Sequence, residues 1–363
     1  MVTPGLEGVI AAETSVSLVD GQNGLLVYRG HWAKELAVQH SFEEVCFLLW
    51  YDTLPNEEEL ERHRERLTAA REVDQRTFAI LQSLSKRSDV MSAIRTALSS
   101  LGPACSAWPP TVEDAVRLTA VVPTLIAYFY RMQNDLAIVE PRKDLDHVSN
   151  YLYMLHGSVP SQAHSRALES YCILTMEHGM NASTFAARVV LSTQSDIVSA
   201  LCGAIGAMMG PLHGGAPSEV MDMLDQIGGK SNAEVWLRNR LDMGKRLMGF
   251  GHRIYKTRDP RAEALKTVVQ TFSKDDPWFD LAAHVEEAAI KLLEEYKPGR
   301  KLYTNVEFYA AAVLRAVSIP PQLFTPTFTA SRMVGWTAHI LEQSVNNRIF
   351  RPQSHYVGKM PDS

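Results

Sequence analysis

Cysteine is scarce in this sequence, and no two cysteines form a recognised pair. Four occur in 363 residues, at Cys46, Cys105, Cys172 and Cys202, and none belongs to a CxxC motif. The common zinc and thioredoxin-type motifs are therefore absent, and four cysteines are too few for a disulfide framework in a chain of this length. We expect free thiols in a reducing compartment, the cytoplasm.

An excess of charge of either sign is also lacking. The 36 Lys and Arg residues are balanced by 41 Asp and Glu residues, for a net charge of −5 at pH 7. A nucleic-acid-binding protein would carry a clear basic surplus, so nucleic acid is not an expected partner. Hydrophobic residues make up 46% of the chain, which argues against an acidic disordered protein and predicts a folded one.

Neither a targeting segment nor a membrane span is expected. The N-terminus has no basic region followed by an apolar one, as a signal peptide would have. Residues 197–218 carry no charge, but glycine and proline interrupt this segment repeatedly. We interpret it as a buried helix that ends at Gly210-Pro211, and we expect no membrane association.

The glycine motifs of nucleotide-binding proteins are missing as well. The chain contains no GxxxxGK(S/T) phosphate loop and no GxGxxG motif after a strand. Kinase chemistry and nucleotide-dependent redox chemistry are therefore disfavoured.

Most of the sequence has helical periodicity. Residues 8–30 are the exception, because turn dipeptides separate β-prone runs there and predict a short hairpin. Beyond it, Ser41 followed by Glu44 has the spacing of a capping box, and Pro123 is expected to kink its helix. Further helices are predicted at 161–177, 182–192, 194–209, 216–226, 231–247, 260–273, 279–295, 305–317 and 327–345. The sequence thus predicts an almost entirely α-helical protein.

The predicted helix 194–209 has a face of small residues. Gly206 and Gly210 are four residues apart, and Gly203 and Ala207 are further small residues of the same segment. Such a face lets two backbones approach closely. Tight packing within the chain and a subunit interface are both compatible with it.

Three of the twelve histidines stand in unusual local settings that include glycine. His213 precedes Gly214-Gly215, His252 follows Gly249-Phe250-Gly251, and His178 precedes Gly179 at an expected junction of two helices. Glycine permits tight turns and lets a substrate approach the backbone. Three histidines in such settings indicate one shared site.

Charged residues near these histidines suit an anionic substrate. Arg261 follows His252 closely, and Arg332 and Arg351 come later in the chain. Arginine binds a carboxylate through two parallel hydrogen bonds. Glu307 lies among apolar and aromatic neighbours at the start of an Ala-rich segment, where partial burial would raise the pKa of its carboxyl group and suit it to act as a general base.

Two other interpretations of these residues are less favoured. His213, His252 and Glu307 could form a His₂Glu metal site, but they come from three separate segments without the paired ligands of an HExxH helix. A serine nucleophile next to a His-Gly-Gly loop would need a GxSxG motif, and the chain has none.

Taken together and in order, these segments resemble the citrate synthase family in its short bacterial and archaeal form. The resemblance covers nearly the whole chain. Its segments are Gly5 to Val9, Tyr28 to Gly30, Glu177 to Thr184, Gly210 to Ala216, Gly251 to Lys256, Asp259 to Arg261, Asn305 to Tyr309, Gly335 to His339, and Arg351-Pro352.

The resemblance implies an all-α, multi-helical homodimer with two domains in each subunit and a short N-terminal β-hairpin. Residues 1–214 and 319–363 would form the large domain, with the dimer interface and the oxaloacetate site. Residues 215–318 would form the small domain, which binds CoA and closes on the substrate.

The implied activity is that of an acyltransferase. It condenses acetyl-CoA with oxaloacetate and hydrolyses citryl-CoA to citrate and CoA, with no metal and no tightly bound cofactor. Two alternatives are a 2-methylcitrate synthase that uses propionyl-CoA and a catalytically impaired paralogue that binds CoA or a dicarboxylate.

The family also implies roles for individual residues. Glu307 would be the base, His213 would hydrogen-bond the thioester oxygen, and His252 would polarise the ketone of oxaloacetate. The residues implied to bind oxaloacetate are His178, Asn181, Arg261, Arg332 and, from the partner subunit, Arg351; those implied to contact CoA are Lys256, Gly249 and Gly251.

One position departs from the family pattern. Most relatives have Asp where this chain has Glu307, usually with Pro where Thr304 stands. Glutamate is one methylene longer, and the geometry of attack is sensitive to about an ångström. We expect Glu307 to be functional because every other site position is intact.

Overall fold

The N-terminal β-prone runs form a three-stranded antiparallel sheet. Strand β1 (Ser17–Asp20) pairs with β2 (Leu25–Tyr28), and β2 pairs with the two-residue β3 (His31–Trp32). The Asp20 carboxylate closes the first turn by accepting hydrogen bonds from the backbone N–H groups of Gln22 and Asn23, both at 3.0 Å. The predicted hairpin is confirmed, and β3 is an addition to it.

The computed structural model describes residues 3–102, 105, 108–214, 216–252, 254–272 and 277–361, and most of these are helical. The α-helices are α1 (Ala33–Gln39), α2 (Phe42–Tyr51), α3 (Glu57–Ala69), α4 (Gln75–Ser83), α5 (Val90–Ser99), α6 (Val112–Gln133), α7 (His147–His156), α8 (Gln162–Thr175), α9 (Ala182–Ser192), α10 (Ile197–Met208), α11 (Ala216–Ile227), α12 (Lys230–Asp242), α13 (Pro260–Phe272), α14 (Pro277–Tyr296), α15 (Val306–Ala316) and α16 (Phe324–Val345). The predicted all-α fold class is confirmed.

Side-chain caps determine where many of these helices begin. Ser41 and Glu44 form the predicted capping box at the start of α2, with each side chain bonded to the other residue's backbone N–H. α6 begins at a similar box, and it continues through Pro123 as one helix from Val112 to Gln133.

Helix α16 runs through the main core. It packs against α2, α6, α8, α9 and α10, and most of its residues are buried. Trp336, at its centre, is fully buried and donates a hydrogen bond from Nε1 to Ser183 Oγ on α9 at 3.0 Å. Because Arg332 lies one turn earlier on the same helix, the core fixes the position of a predicted site residue.

The small-residue face of α10 packs tightly within the chain at Gly203. A Cβ atom added at Gly203 would lie 3.2 Å from Val190 Cγ2 of α9. The two helices pack closely along their lengths. Tight packing within the chain therefore accounts for Gly203.

Helices α11–α15 pack mainly against one another. They meet the rest of the chain where α13 contacts α1 and α8 and where α15 contacts α8. This group falls within the segment 215–318, for which a separate small domain is predicted, although Gly215 itself lies outside the described residues. The division into two domains stays a prediction.

The cysteine side chains lie in or against the hydrophobic core. All four cysteines are free, as predicted, and Cys46 and Cys172 are buried. Among the helices that the structure describes, none combines the length and the apolar character needed to cross a membrane.

Candidate active site

Residues from four distant segments meet where α8, α9, α13, α15 and α16 approach one another. The rings of His178 and His252 lie 5.7 Å apart between centroids, and Arg261 Nη2 lies 3.3 Å from His252 Nε2. The charges of Arg261 and Arg332 both act on His178, and that of Arg332 acts on His213. The structure thus brings the three histidines together with the two arginines, and their role in one shared site stays a prediction.

His252 is held by its own backbone turn. Its Nδ1 accepts hydrogen bonds from the backbone N–H groups of Ile254 and Tyr255, at 3.0 and 3.1 Å. An Nδ1 that accepts in this way carries no proton, so the neutral ring is protonated at Nε2. Burial, assisted by Arg261, lowers the pKa of His252 to about 4 and keeps the ring neutral at pH 7.

The loop before His252 is paired with the segment before α15. Gly251 N donates to Tyr303 O at 2.7 Å, and Asn305 N donates to Gly249 O at 2.9 Å. Gly249 has φ +81°, and a Cβ atom there would lie 2.8 Å from a ring carbon of Phe308, so the close approach requires glycine. The pairing ties His252 to the helix that carries Glu307.

His213 lies in the turn after α10. Its Nε2 is 2.8 Å from Ser183 Oγ, which also accepts the hydrogen bond from Trp336. Burial, with a contribution from Arg332, lowers the pKa of His213 to about 4. A neutral imidazole anchored at Nε2 can act on a ligand through Nδ1.

His178 and Asn181 lie in the connection between α8 and α9. His178 is buried, and its Nε2 is 3.1 Å from Tyr255 Oη. Burial lowers the pKa of His178 well below its usual range, with Arg261 contributing. Asn181 is the N-cap of α9 and accepts from Thr184 N at 3.0 Å, so its side chain already has a structural role. Its predicted part in substrate binding stays a prediction.

The two site arginines differ in how their charge is balanced. Arg261 forms two parallel hydrogen bonds with Asp259, from Nε to Oδ1 at 3.0 Å and from Nη2 to Oδ2 at 2.8 Å. Arg332 is 1% exposed and donates from Nε to Thr175 O at 2.7 Å. Within the described part of the chain it has no salt bridge to a carboxylate, and burial lowers its pKa to about 10.

These arginines and His252 together suit an anionic ligand. A guanidinium buried without a carboxylate partner costs several kcal/mol, which an anion can offset. The Nε2–H of His252 and the guanidinium of Arg261 are both donors, so an oxygen acceptor supplied by a ligand satisfies both.

Glu307 lies in the first turn of α15. Asn305 caps this helix by accepting from Glu307 N at 3.2 Å. The side chain is partly exposed, yet its Oε2 is buried and has no hydrogen-bond partner among the described residues. Burial raises the pKa of Glu307, although the charge of Arg261 opposes that shift. A carboxylate with an unpartnered oxygen is able to accept a proton from a bound ligand.

Two predicted residues lie apart from this cluster. Arg351 is exposed on the extended segment that follows α16. Lys256 is also exposed, and its backbone N–H bonds to Gly21 O at 2.8 Å in the hairpin turn. The predicted contacts of both residues with a ligand stay predictions.

Three residues that contact the cluster were not singled out in the sequence. Tyr255 contacts His178 and lies under Arg261, whose guanidinium carbon is 5.8 Å from the ring centroid. Ser183 anchors His213, and Asp259 anchors Arg261. All three fall within the segments that carry the resemblance, but nothing in their local pattern indicates which side chain each one meets.

In the part of the chain that the structure describes, there is no group of three or more His, Cys, Asp or Glu side chains that could hold a metal ion.

The geometry can be compared with known proteins. A family model described as "Citrate synthase, C-terminal domain" matches residues 5–353. The chain belongs to the citrate synthase family. It is thus an acyltransferase of that family, and the resemblance of its motifs is confirmed.

Curated relatives of this citrate synthase family member carry two names. Citrate synthase 2 of Bacillus subtilis is 41% identical, and the match covers 98% of this chain and 96% of that protein. A 2-methylcitrate synthase of Mycobacterium tuberculosis is 39% identical, with 98% and 91% covered. The two identities are nearly the same.

A solved structure is similar over the full length. The citrate synthase of Thermoplasma acidophilum, in a ternary complex with carboxymethyl coenzyme A and oxaloacetate, is 27% identical and has a TM-score of 0.91. The match covers 100% of this chain and 98% of that one.

Proposed function

We propose that this enzyme condenses acetyl-CoA with oxaloacetate and then hydrolyses citryl-CoA, releasing citrate and CoA. The observation that carries the proposal is the cluster formed by two buried arginines, a neutral His252 and a Glu307 with an unpartnered oxygen. A similar structure is known in complex with oxaloacetate and a CoA derivative, which supports the same ligand classes for this chain.

Oxaloacetate fits the donors of the site. It has two carboxylates and a ketone, and the cluster offers the Arg261 and Arg332 guanidinium groups together with the His252 Nε2–H. A carboxylate of oxaloacetate would pair with the buried guanidinium of Arg332 and offset the free-energy cost of its burial. His252 would polarise the ketone because both of its Nδ1 hydrogen bonds are already made to the backbone.

Glu307 would remove a proton from the methyl group of acetyl-CoA. That methyl group is a weak acid, so the negative charge that develops on the thioester oxygen must be stabilised as the proton leaves. His213 would donate a hydrogen bond there from Nδ1–H, in the tautomer whose Nε2 accepts a hydrogen bond from the Ser183 hydroxyl. The methyl carbon then forms a bond to the ketone carbon as the C=O π electron pair moves to the ketone oxygen, which takes the His252 Nε2 proton to become a hydroxyl group. His252 would regain a proton from water, and the proton that Glu307 removed would return to water, so both residues end as they began.

Hydrolysis completes the reaction. Water adds to the thioester carbon of citryl-CoA, the bond to sulfur breaks, and CoA leaves with a proton as the free thiol. Closure of residues 215–318 over the large domain would exclude water until the carbon–carbon bond has formed. CoA would lie against Gly249, Gly251 and Lys256, next to the start of α15.

The proposed assembly is a cytoplasmic homodimer. Arg351 is exposed on the segment after α16, which leaves it available to reach a partner's oxaloacetate site. Residues 1–214 and 319–363 of each subunit would form the interface.

A second candidate function is the 2-methylcitrate synthase reaction. It is favoured by the near-equal identity to relatives of both names. Propionyl-CoA has one more methylene than acetyl-CoA, and an apolar pocket discriminates such a difference by only about 1–3 kcal/mol.

Thiol release from acyl-CoA tests the proposal. Purified protein is mixed with oxaloacetate and either acetyl-CoA or propionyl-CoA, and free CoA is followed with a thiol reagent. We expect release that requires both substrates and is faster with acetyl-CoA. Faster release with propionyl-CoA would favour the second function, whereas no release from folded protein that binds oxaloacetate would favour the non-catalytic alternative.

A further inference from the structure

A buried carboxylate on α14 contacts the chain on both sides of Glu307. Glu286 Oε1 accepts a hydrogen bond from Thr304 Oγ1 at 2.8 Å, and Oε2 accepts one from Tyr309 Oη at 2.5 Å. Thr304 comes three residues before Glu307, and Tyr309 comes two residues after it. One side chain therefore ties down the segment that enters α15 and the first turn of the helix itself.

Hydrogen bonds and a cation offset the cost of burying the Glu286 carboxylate. It is 7% exposed, and Lys266 Nζ of α13 lies 2.6 Å from Oε2. Burial and the neighbouring Glu286 raise the pKa of Tyr309, so its hydroxyl keeps its proton and remains a donor. Three donors, one of them cationic, make this a fixed point in the packing of α13, α14 and α15.

Glu286 binds the side of α15 that faces away from the site. Successive residues of a helix are turned by about 100°, so Tyr309 projects roughly 200° from Glu307. In addition, Val306 N donates to Asp259 Oδ2 at 3.1 Å, and Asn305 is paired with Gly249. The start of α15 is thus held by several hydrogen bonds besides those to Glu286.

The carboxylate of Glu307 has little to orient it directly. Its Oε2 has no hydrogen-bond partner among the described residues, so the position of the helix determines where the carboxylate lies. A shift of the first turn would move the carboxylate relative to any bound acyl-CoA. Misplacement by about 1 Å can cost about 100-fold in rate.

We propose that Thr304 and Glu286 are positioning residues, and that the hydrogen bond between them sets the distance from the Glu307 carboxylate to the methyl group of the acyl-CoA. The inference rests on the proposed function, in which Glu307 is the base. Neither residue touches the substrate, and each acts through the backbone of residues 304–307.

The test compares Thr304→Val with Thr304→Ser. Valine keeps the shape of the side chain and removes the hydroxyl, whereas serine retains the donor. Thr267→Val is the control, because Thr267 is an exposed residue of the same group of helices and its hydroxyl bonds to Glu263 O, one turn earlier in α13. Each variant is first checked for folding by circular dichroism and thermal denaturation.

The readouts separate deprotonation from binding. We measure kcat, KM for oxaloacetate, and the kinetic isotope effect on kcat with acetyl-CoA deuterated at the methyl group. For Thr304→Val we expect kcat to fall roughly 10- to 100-fold, KM for oxaloacetate to stay within about twofold, and the isotope effect to increase because proton removal becomes rate-limiting. Thr304→Ser should restore most of kcat, and Thr267→Val should match the wild type.

The remaining outcomes also decide the matter. A folded Thr304→Val variant with wild-type kcat and isotope effect would overturn the inference, as would a lower kcat with an unchanged isotope effect and a raised KM. If Thr304→Val does not fold, Tyr309→Phe removes the hydrogen bond from α15 to Glu286, and the same criteria apply. A wild-type protein that releases no thiol overturns the proposed function itself, a result distinct from failure of the positioning role alone.

Discussion

Asp259 binds Arg261 through two parallel hydrogen bonds and, through the same Oδ2 atom, accepts a third from the backbone N–H of Val306. A proposed substrate-binding arginine and the helix of the proposed base therefore share one buried carboxylate. Any change at Asp259 should affect both at once.

Asp259→Asn tests that sharing. Asparagine keeps one acceptor oxygen but removes the charge, and it leaves Arg261 as a buried cation without a partner. We expect a loss of about 3–5 kcal/mol in the free energy of unfolding, the cost typical of breaking a buried pair, together with a KM for oxaloacetate raised at least about tenfold. Urea unfolding and steady-state kinetics measure the two effects.

Arg238→Met, which breaks exposed ion pairs with Glu234 and Glu295, serves as the control and should change neither quantity much. An Asp259→Asn variant as stable as the wild type would contradict the buried pair.

Glu307 can be tested by two substitutions of different kind. Glu307→Gln removes the base and should reduce thiol release by about 100- to 10,000-fold while oxaloacetate still binds. Glu307→Asp keeps the base but retracts it by one methylene. The first turn of α15 in this chain carries a glutamate, so a shorter aspartate side chain would hold its carboxylate too far from the methyl group. We therefore expect turnover by Glu307→Asp to be slower by roughly 10- to 100-fold. Calorimetric titration with oxaloacetate checks that binding is preserved, and near-normal turnover by Glu307→Gln would refute the assignment.

Ser183→Ala removes the group that anchors His213. The imidazole would then be free to rotate, and Trp336 would lose the acceptor of its indole N–H. We expect kcat to fall about tenfold or more, with a smaller change in KM for oxaloacetate. Ser183→Thr retains the hydroxyl and is the appropriate comparison. Equal kcat values for the alanine variant and the wild type would show that His213 needs no anchor.

A pH-dependent contribution to stability is expected from Glu43, far from the site. This residue is 1% exposed, and burial raises the pKa of its carboxyl group to about 7. The folded state therefore holds a proton that the unfolded state loses near pH 4.5, so this group makes folding less favourable as the pH rises from about 4.5 to 7. Glu43→Gln removes that effect and keeps an acceptor for His147 N.

The free energy of unfolding of Glu43→Gln relative to wild type should thus increase from pH 4.5 to pH 7, by an amount on the order of 2–3 kcal/mol. The difference between the two proteins is the useful quantity, since buried histidines such as His147, whose pKa burial lowers to about 3, affect both equally. A difference that does not change with pH would contradict a protonated Glu43.

The sequence predicts this fold where signals are local. Capping residues and turn dipeptides depend on neighbours a few positions away, so the hairpin and helices such as α2, α11 and α15 were expected close to their observed bounds. Pro123 was expected to kink α6; the helix continues through it from Val112 to Gln133, and the kink stays a prediction.

The site was only partly accessible from the sequence. His178, His213 and His252 stand out because glycines flank them, and the order of the motifs identifies the family. Contacts such as Ser183 with His213, or Thr304 with Glu286, join side chains on different helices. They depend on how the helices pack, and no spacing along the chain encodes them. Asn181 belongs to a motif that suggests function, yet its side chain caps α9, so the motif alone did not show which of its residues have a structural role.

The pairing of residues 249–251 with 303–305 has a consequence for hydrogen exchange. The amide hydrogens of Gly251 and Asn305 are each donated to the other segment, so neither can exchange with solvent while the pair is intact. If the segments separate as one event, the two amides should exchange at similar rates, although the residues are 54 positions apart in the chain. Their common protection would report how often the turn before α15 comes loose.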